Sequence, residues 1–285
     1  MRILITGARG QLGHDVVLEA RWRGWETIGA DIDDFDITDR AAALAALEKA
    51  APDAVIHCAA YTAVDRAESE PELARAVNEG GTRHVAEYCA AKGIWMIYVS
   101  TDYVFDGSGD LPREVDEPPV PLNVYGETKR AGERAVQALC SRFMIVRTSW
   151  VFGSHGGNFV KTMLRLGRGR EEVRVVNDQI GAPTYTVDLA RLLCDMAQRP
   201  IEGVYHASNA GECNWAAFAA KIFELAGINC RVIPIPSDEY PQTAQRPRNS
   251  RLSPKALIEA GYASLPPWES ALAEMLNIEK PEKER

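Results

Sequence analysis

The chain has 285 residues, 46% of them hydrophobic and 25% charged, enough apolar material for one large core or two modest ones. A formal charge of −8 argues against a nucleic-acid surface, no apolar run nears the ~18 residues that span a bilayer, and no signal-peptide pattern is present, so a cytoplasmic protein with no nucleic-acid or membrane partner is expected. Six cysteines, at 58, 89, 140, 194, 213 and 230, lack C-x-x-C spacing and fit reduced thiols better than a disulfide framework or a zinc site.

From the N-terminus, short β-branched runs alternate with helical stretches. "RILIT" (2–6), "ETIGA" (26–30), "DAVIHC" (53–58), "WMIYVS" (95–100) and "FMIVRT" (143–148) read as strands, and their near-continuous apolar character suggests cover on both faces. The stretches 11–24, 40–50, 71–93 and 131–142 carry helical patterns. Strand alternating with helix predicts an α/β fold with a doubly wound, Rossmann-type parallel sheet. After about residue 150 the rhythm loosens. There 158–169, 186–200 and 215–227 read as helices, 173–177 and 203–208 as short strands, and 234–250 as a long loop of the kind that carries binding sites. The division expected is a dinucleotide-binding domain over 1–150, to which 173–205 returns, and a smaller, mainly substrate-binding domain over 151–285. The charge run "EKPEKER" (279–285) reads as a solvated, frayed end.

"ITGARGQLG" (5–13) joins the first strand to the first helix and spaces Gly7, Gly10 and Gly13 as G-x-x-G-x-x-G. With Arg9, Gln11 and Leu12 between them, these glycines let backbone approach a pyrophosphate closely at a helix N-terminus. Asp31 closes the second strand eighteen residues beyond Gly13, where an acid commonly bonds the adenosine ribose and favours NAD. Arg9 points the other way, since a guanidinium can pair with a 2′-phosphate. Asp36 and Ile37 offer an adenine contact, although an Asp in that place reads equally as the cap of a helix starting at Thr38.

"NVYGETKRAGE" (123–133) sets Tyr125 one helical turn ahead of Lys129, and "STDYVF" (100–105) ends the fourth strand with Ser100 and Thr101. Ligands of doubly wound folds sit beyond such strand ends. A hydride delivered to a carbonyl carbon needs a proton for the oxygen. A phenol can give it, a neighbouring cation is expected to lower the phenol's pKa, and the Thr101 hydroxyl can hold the developing oxyanion.

On "GARGQLG", "CAAYTAVDRAESEP", "STDYVFDG", "PLNVYGETKRAGE", "RTSWVFG", "NFVKTML", "NDQIGAPTY" and "RPRNSRL" the chain resembles the extended short-chain dehydrogenase/reductases, and within them the dTDP-4-dehydrorhamnose reductase family. The resemblance implies NADPH- or NADH-dependent reduction of the 4-keto group of dTDP-4-dehydro-6-deoxy-L-mannose to dTDP-L-rhamnose, with NADPH slightly ahead. It implies Tyr125 as proton donor, Lys129 as its cationic partner and Thr101 as the hydroxyl. Ala59, Ala60 and Tyr61 would line the cofactor. Thr62, Val64 and Asp65 would lie at the mouth, Asp102, Tyr103 and Trp150 around the sugar and base, and Asn158 and Arg246 at the diphosphate of the dTDP-sugar. Some relatives dimerise through magnesium held by glutamates. Here Asp15 and Asp188 stand instead, so no metal is expected, and a monomer or homodimer is.

Three neighbouring functions compete. A 4,6-dehydratase needs an Asp–Glu pair after the threonine, whereas here Tyr103 follows Asp102. A nucleotide-sugar 4-epimerase needs only the tyrosine machinery. A non-catalytic, NADP-binding regulatory subunit, like that of methionine adenosyltransferase, shares the fold; intact Thr101, Tyr125 and Lys129 weigh against it.

Overall fold

The computed structural model describes residues 1–278, and the "EKPEKER" run lies outside the described residues. The apolar runs become strands of one sheet: β1 (Arg2–Thr6), β2 (Glu26–Ala30), β3 (Ala54–His57), β4 (Trp95–Thr101) and β5 (Phe143–Thr148), joined at one edge by β6 (Gly203–His206). Their order is β6-β5-β4-β3-β1-β2, and every neighbouring pair is parallel. Successive side chains of a strand face opposite ways. Ile3, Ile5, Ile56, Ile97, Met144 and Val146 therefore enter one core, while Leu4, Val55, Met96, Tyr98 and Ile145 enter another. Cover on both faces is why these strands read as apolar runs and not as alternating patterns.

The longer helices are α1 (Gln11–Trp22), α2 (Arg40–Ala50), α3 (Thr82–Lys92), α4 (Val124–Leu139), α5 (Phe159–Gly169), α6 (Thr186–Gln198), α7 (Trp215–Ala226) and α8 (Trp268–Ile278). Val16 and Ala20 of α1 share the first core with Leu189, Leu193 and Met196 of α6. Leu47 of α2, Val85 and Cys89 of α3 and Val136 of α4 cover the opposite face. A further core is built from Phe152, Met163, Leu164, Tyr185, Phe218, Phe223, Leu272 and Met275. The chain thus leaves the sheet after β5, returns through α6 and β6, and leaves again. The segment 173–176 belongs to the outer core, in a strand (Glu172–Val176) paired with Arg231–Ile235.

Two local readings change. The helical stretch 71–93 is not uniform: Pro71–Arg75 runs through a π-helical turn, Ala76–Gly81, into α3. The widened turn lets the Asn78 amide accept from Tyr61 N–H (2.8 Å) and donate to the Tyr61 carbonyl (3.1 Å) and Thr128 Oγ1 (3.0 Å). The loop read at 234–250 begins inside the Arg231–Ile235 strand and ends in another, Asn249–Ser250, which pairs with Ile180–Gly181.

Candidate functional site

The C-terminal ends of β1 to β5 open on one cleft of about 920 Å³, beside the place where strand order reverses between β1 and β3. That is where the topology of such sheets leaves a crevice. The cleft is lined from the β1 end by Gly7, Arg9, Gly10, Gln11, Leu12 and Gly13. Asp31, Asp36 and Ile37 follow beyond β2, and Ala59, Ala60, Tyr61, Thr62 and Val64 beyond β3. Ser100, Thr101, Asp102 and Tyr103 come from the end of β4, Trp150 from beyond β5, and Tyr125 and Lys129 from α4.

Close approach explains the glycines. A Cβ on Gly13 would stand 2.0 Å from the Gly7 carbonyl oxygen, and one on Gly7, whose φ is +67°, would stand 2.7 Å from Ala59 N. Gly10 caps α1 without a side chain, leaving the first-turn N–H groups for an anion. This cradle, which any Cβ would fill, fits the pyrophosphate of a dinucleotide. Beyond it the Asp31 carboxylate accepts from Arg9 N–H and Ile32 N–H, both at 2.8 Å. Asp36 accepts from the N–H and hydroxyl of Thr38, so it closes a turn and does not cap the helix, whose cap is Asp39, while still facing the cleft.

At the other end, Asn123 caps α4 by accepting from Gly126 N–H at 2.8 Å. A Cβ on Gly126 would lie 2.1 Å from the Tyr103 carbonyl oxygen, so glycine lets α4 press against the end of β4. The rings of Tyr103 and Tyr125 then meet edge to face at 5.4 Å. Burial pushes the Tyr125 phenol up to about 12, a hydrogen bond with Thr101 opposes this, and the Asp102 charge adds to it. Lys129 is buried; its ammonium donates to the Val99 carbonyl at 2.7 Å and lies 4.2 Å from the centre of the Tyr98 ring. Burial pulls it down to about 7, against the field of Glu133 and the smaller one of Cys58. The expectation that the lysine lowers the phenol is therefore not met: desolvation dominates both groups, and the ammonium is turned to the strand. Asp102 is likewise pushed up by burial, to about 6, with hydrogen bonds from Ser250 and Thr101 opposing.

Three predicted site residues stand outside this lining. Asp65 holds Arg246 in a two-pronged pair at 2.9 and 2.6 Å and also accepts from Thr243 and Ala244 N–H. The Arg246 hydrogen bond leads in holding the Asp65 carboxyl down to about 2. Asn158 caps α5 by accepting from Lys161 N–H and donates to Gln11 Oε1 (2.9 Å) and the Gly153 carbonyl (2.7 Å). Its amide secures the glycine loop and the helix end, and Arg246 secures a loop. Asp15 and Asp188 are buried, and among the described residues no group of three or more His, Cys, Asp or Glu side chains could hold a metal ion.

The family model described as RmlD substrate binding domain matches residues 1–280. The chain belongs to that family. A dTDP-4-dehydrorhamnose reductase of Streptomyces griseus is 44% identical over 96% of this chain and 92% of its own. A dTDP-4-keto-6-deoxy-D-glucose reductase of Streptomyces niveus is 40% identical over 96% of each chain. The crystal structure of a dTDP-4-dehydrorhamnose reductase from Bacillus anthracis in complex with NADP matches with a TM-score of 0.95 at 40% identity, covering 97% of this chain and 99% of that one.

In this member of the RmlD family, buried polar residues that the motifs did not single out shape the cleft. Asn78 fixes the Tyr61 backbone against α4, and its only signal was the Gly80–Gly81 pair that follows it. Thr148, at the end of β5, lines the cleft with a buried hydroxyl that has no hydrogen-bond partner among the described residues. Glu133, two turns beyond Tyr125, is fully buried and accepts from Ser100 (2.6 Å), Arg147 (2.8 and 2.9 Å) and Arg130 (2.8 Å). Burial pushes Glu133 up, but Arg147, Ser100 and Arg130 hold it below the usual carboxylate range. Its spacing from Lys129 was visible in the sequence, but the cations that make it a buried charge centre were not.

Proposed function

We propose that the protein reduces the 4-keto group of dTDP-4-dehydro-6-deoxy-L-mannose to give dTDP-L-rhamnose, using NADPH or NADH, in nucleotide-sugar biosynthesis. The observation that carries this reading is the convergence of Thr101, Tyr125 and Lys129 with the glycine cradle on one cleft, in a chain about 40% identical throughout to reductases of that name. Gly7, Gly10, Gly13, Gln11 and Leu12 would hold the cofactor pyrophosphate, Asp31 the adenosine ribose, and Ala59, Ala60 and Tyr61 the wall beside it. When bound, the nicotinamide supplies a hydride to the C4 carbon.

The residues of the chain manage the oxygen. Thr101 hydrogen-bonds the carbonyl oxygen and holds it near the phenol. Tyr125 donates its proton as negative charge develops there. A phenol raised to about 12 stays protonated near neutrality, which is the form that reduction requires. Lys129, anchored on Val99, places positive charge under the site below about pH 7. Tyr103 and Trp150 form apolar walls that keep water from the reacting oxygen. Trp150 is held at φ +48°, stacked 3.7 Å from Trp215, a strained setting of a kind that collects at binding sites.

The remaining lobe, built around the outer core from 151 onward, is read as the part that binds the dTDP-sugar, with Arg246 near its diphosphate. A monomer or homodimer in the cytoplasm completes the reading. Six unpaired cysteines fit a reducing compartment, and among the described residues no helix is long and apolar enough to cross a membrane.

The Streptomyces niveus relative supports a second reading, in which the keto sugar is the D-gluco isomer. One experiment separates the two. Each dTDP-4-keto sugar is supplied with NADH or NADPH, oxidation is followed by absorbance, and the product configuration is read by NMR. Turnover of the L-sugar to the rhamno product is expected. Preferred turnover of the D-sugar would select the second reading, and no turnover of either would refute both.

A further inference from the structure

The turn that follows β2 carries Asp31, Asp33 and Asp34 beside the glycine loop. Arg9 and Lys129 are the only cations among the described residues that line the cleft, and Lys129 is bound to Val99. The Arg9 guanidinium is paired with Asp33 through Nη1 and lies 3.5 Å from Asp34 through Nη2. Its own N–H donates to Asp31, and Asp34 accepts from Asp31 N–H at 2.9 Å, which draws the turn closed around the arginine. The guanidinium thus meets two carboxylates while the Arg9 main chain holds a third, and these four side chains carry a net charge of −2 by formal count.

Resting on the dinucleotide reading of this cleft, we infer that the chain prefers NADH to NADPH because Asp33 and Asp34 occupy the guanidinium that a 2′-phosphate would need. An exposed ion pair is worth little alone, and Arg9 can leave one carboxylate at small cost. It cannot cancel all three. A 2′-phosphate adds nearly two negative charges to a site that already carries an excess. A ribose 2′-hydroxyl, in contrast, can donate a hydrogen bond to a carboxylate there. The NADP bound to the Bacillus anthracis relative shows that the family cleft accommodates the phosphorylated cofactor, so the difference is one of preference.

Calorimetric titration of the full chain with NADH and with NADPH, without sugar substrate, tests this. Tighter binding of NADH by roughly tenfold or more is expected at low salt, narrowing as ionic strength rises. The exposed pair Asp33→Asn/Asp34→Asn should move the affinity ratio toward NADPH by about tenfold, and adding Arg9→Ala should reverse that move. NADPH bound as tightly as NADH, or a ratio unmoved in the double variant, would overturn the inference while leaving the dinucleotide site standing. Binding of neither nucleotide would overturn the site itself, and the inference with it.

Discussion

Replacing Tyr125 with Phe removes one hydroxyl and leaves the ring that packs edge to face on Tyr103. The loss follows from what replaces the phenol as donor. With the phenol at about 12, and water at about 15.7, a proton from solvent is harder to extract by roughly 5 kcal/mol at 1.36 kcal/mol per pK unit. If about half of that gap is felt in the transition state, kcat falls by ~2.5 kcal/mol, close to 100-fold. The assay is steady-state oxidation of NADH or NADPH with the dTDP-4-keto sugar, beside calorimetric binding of the cofactor and a thermal melt. The variant should keep cofactor affinity and melting temperature, so that the whole loss falls on kcat. A loss of kcat smaller than about threefold, with the fold intact, would refute the assignment of Tyr125 as donor.

Two further outcomes follow from the charges beneath the site. Lys129 in the folded chain sits near 7, below the ordinary lysine value of 10.5, so below about pH 7 the folded state carries a buried ammonium that the unfolded chain solvates freely. That cost is full below pH 7 and disappears as pH rises through the interval up to 10.5. Lys129→Met is therefore expected to melt higher than the native chain near pH 6, by a few kcal/mol, with the gap closing toward pH 10; calorimetric melts at both ends check this. Glu133→Gln removes the charge that Arg147 and Arg130 share in the interior and should lower stability by about 3–5 kcal/mol in denaturant titration. A loss under about 1 kcal/mol would mean that the two arginines find other partners.

What sequence alone determined is what neighbours along the chain encode. Continuous apolar runs gave the two-sided strands, the spacing of Gly7, Gly10 and Gly13 gave the cradle, and the four-residue step from Tyr125 to Lys129 put both on one helix face. Each of these depends on a local period or a local steric limit, and the glycines, Tyr125 and Lys129 line the cleft at the strand ends. The β6 strand and α6 were visible as elements, but their return to the first core was not secured by any local signal, because a helix reads the same whichever core it packs against.

Tertiary structure decided where charges find partners. Arg246, a candidate for the diphosphate on resemblance, pairs with Asp65 from a segment 181 residues away. Asn158 is taken up by the glycine loop and its own helix end, and the Lys129 ammonium by a strand carbonyl 30 residues upstream. Periodicity records which face of an element is apolar, whereas burial and counter-charge are sums over residues brought together only by folding. That is why the spacing of Tyr125 and Lys129 brings both into the lining of one cleft, whereas the upward shift of the phenol comes from burial that no local period records.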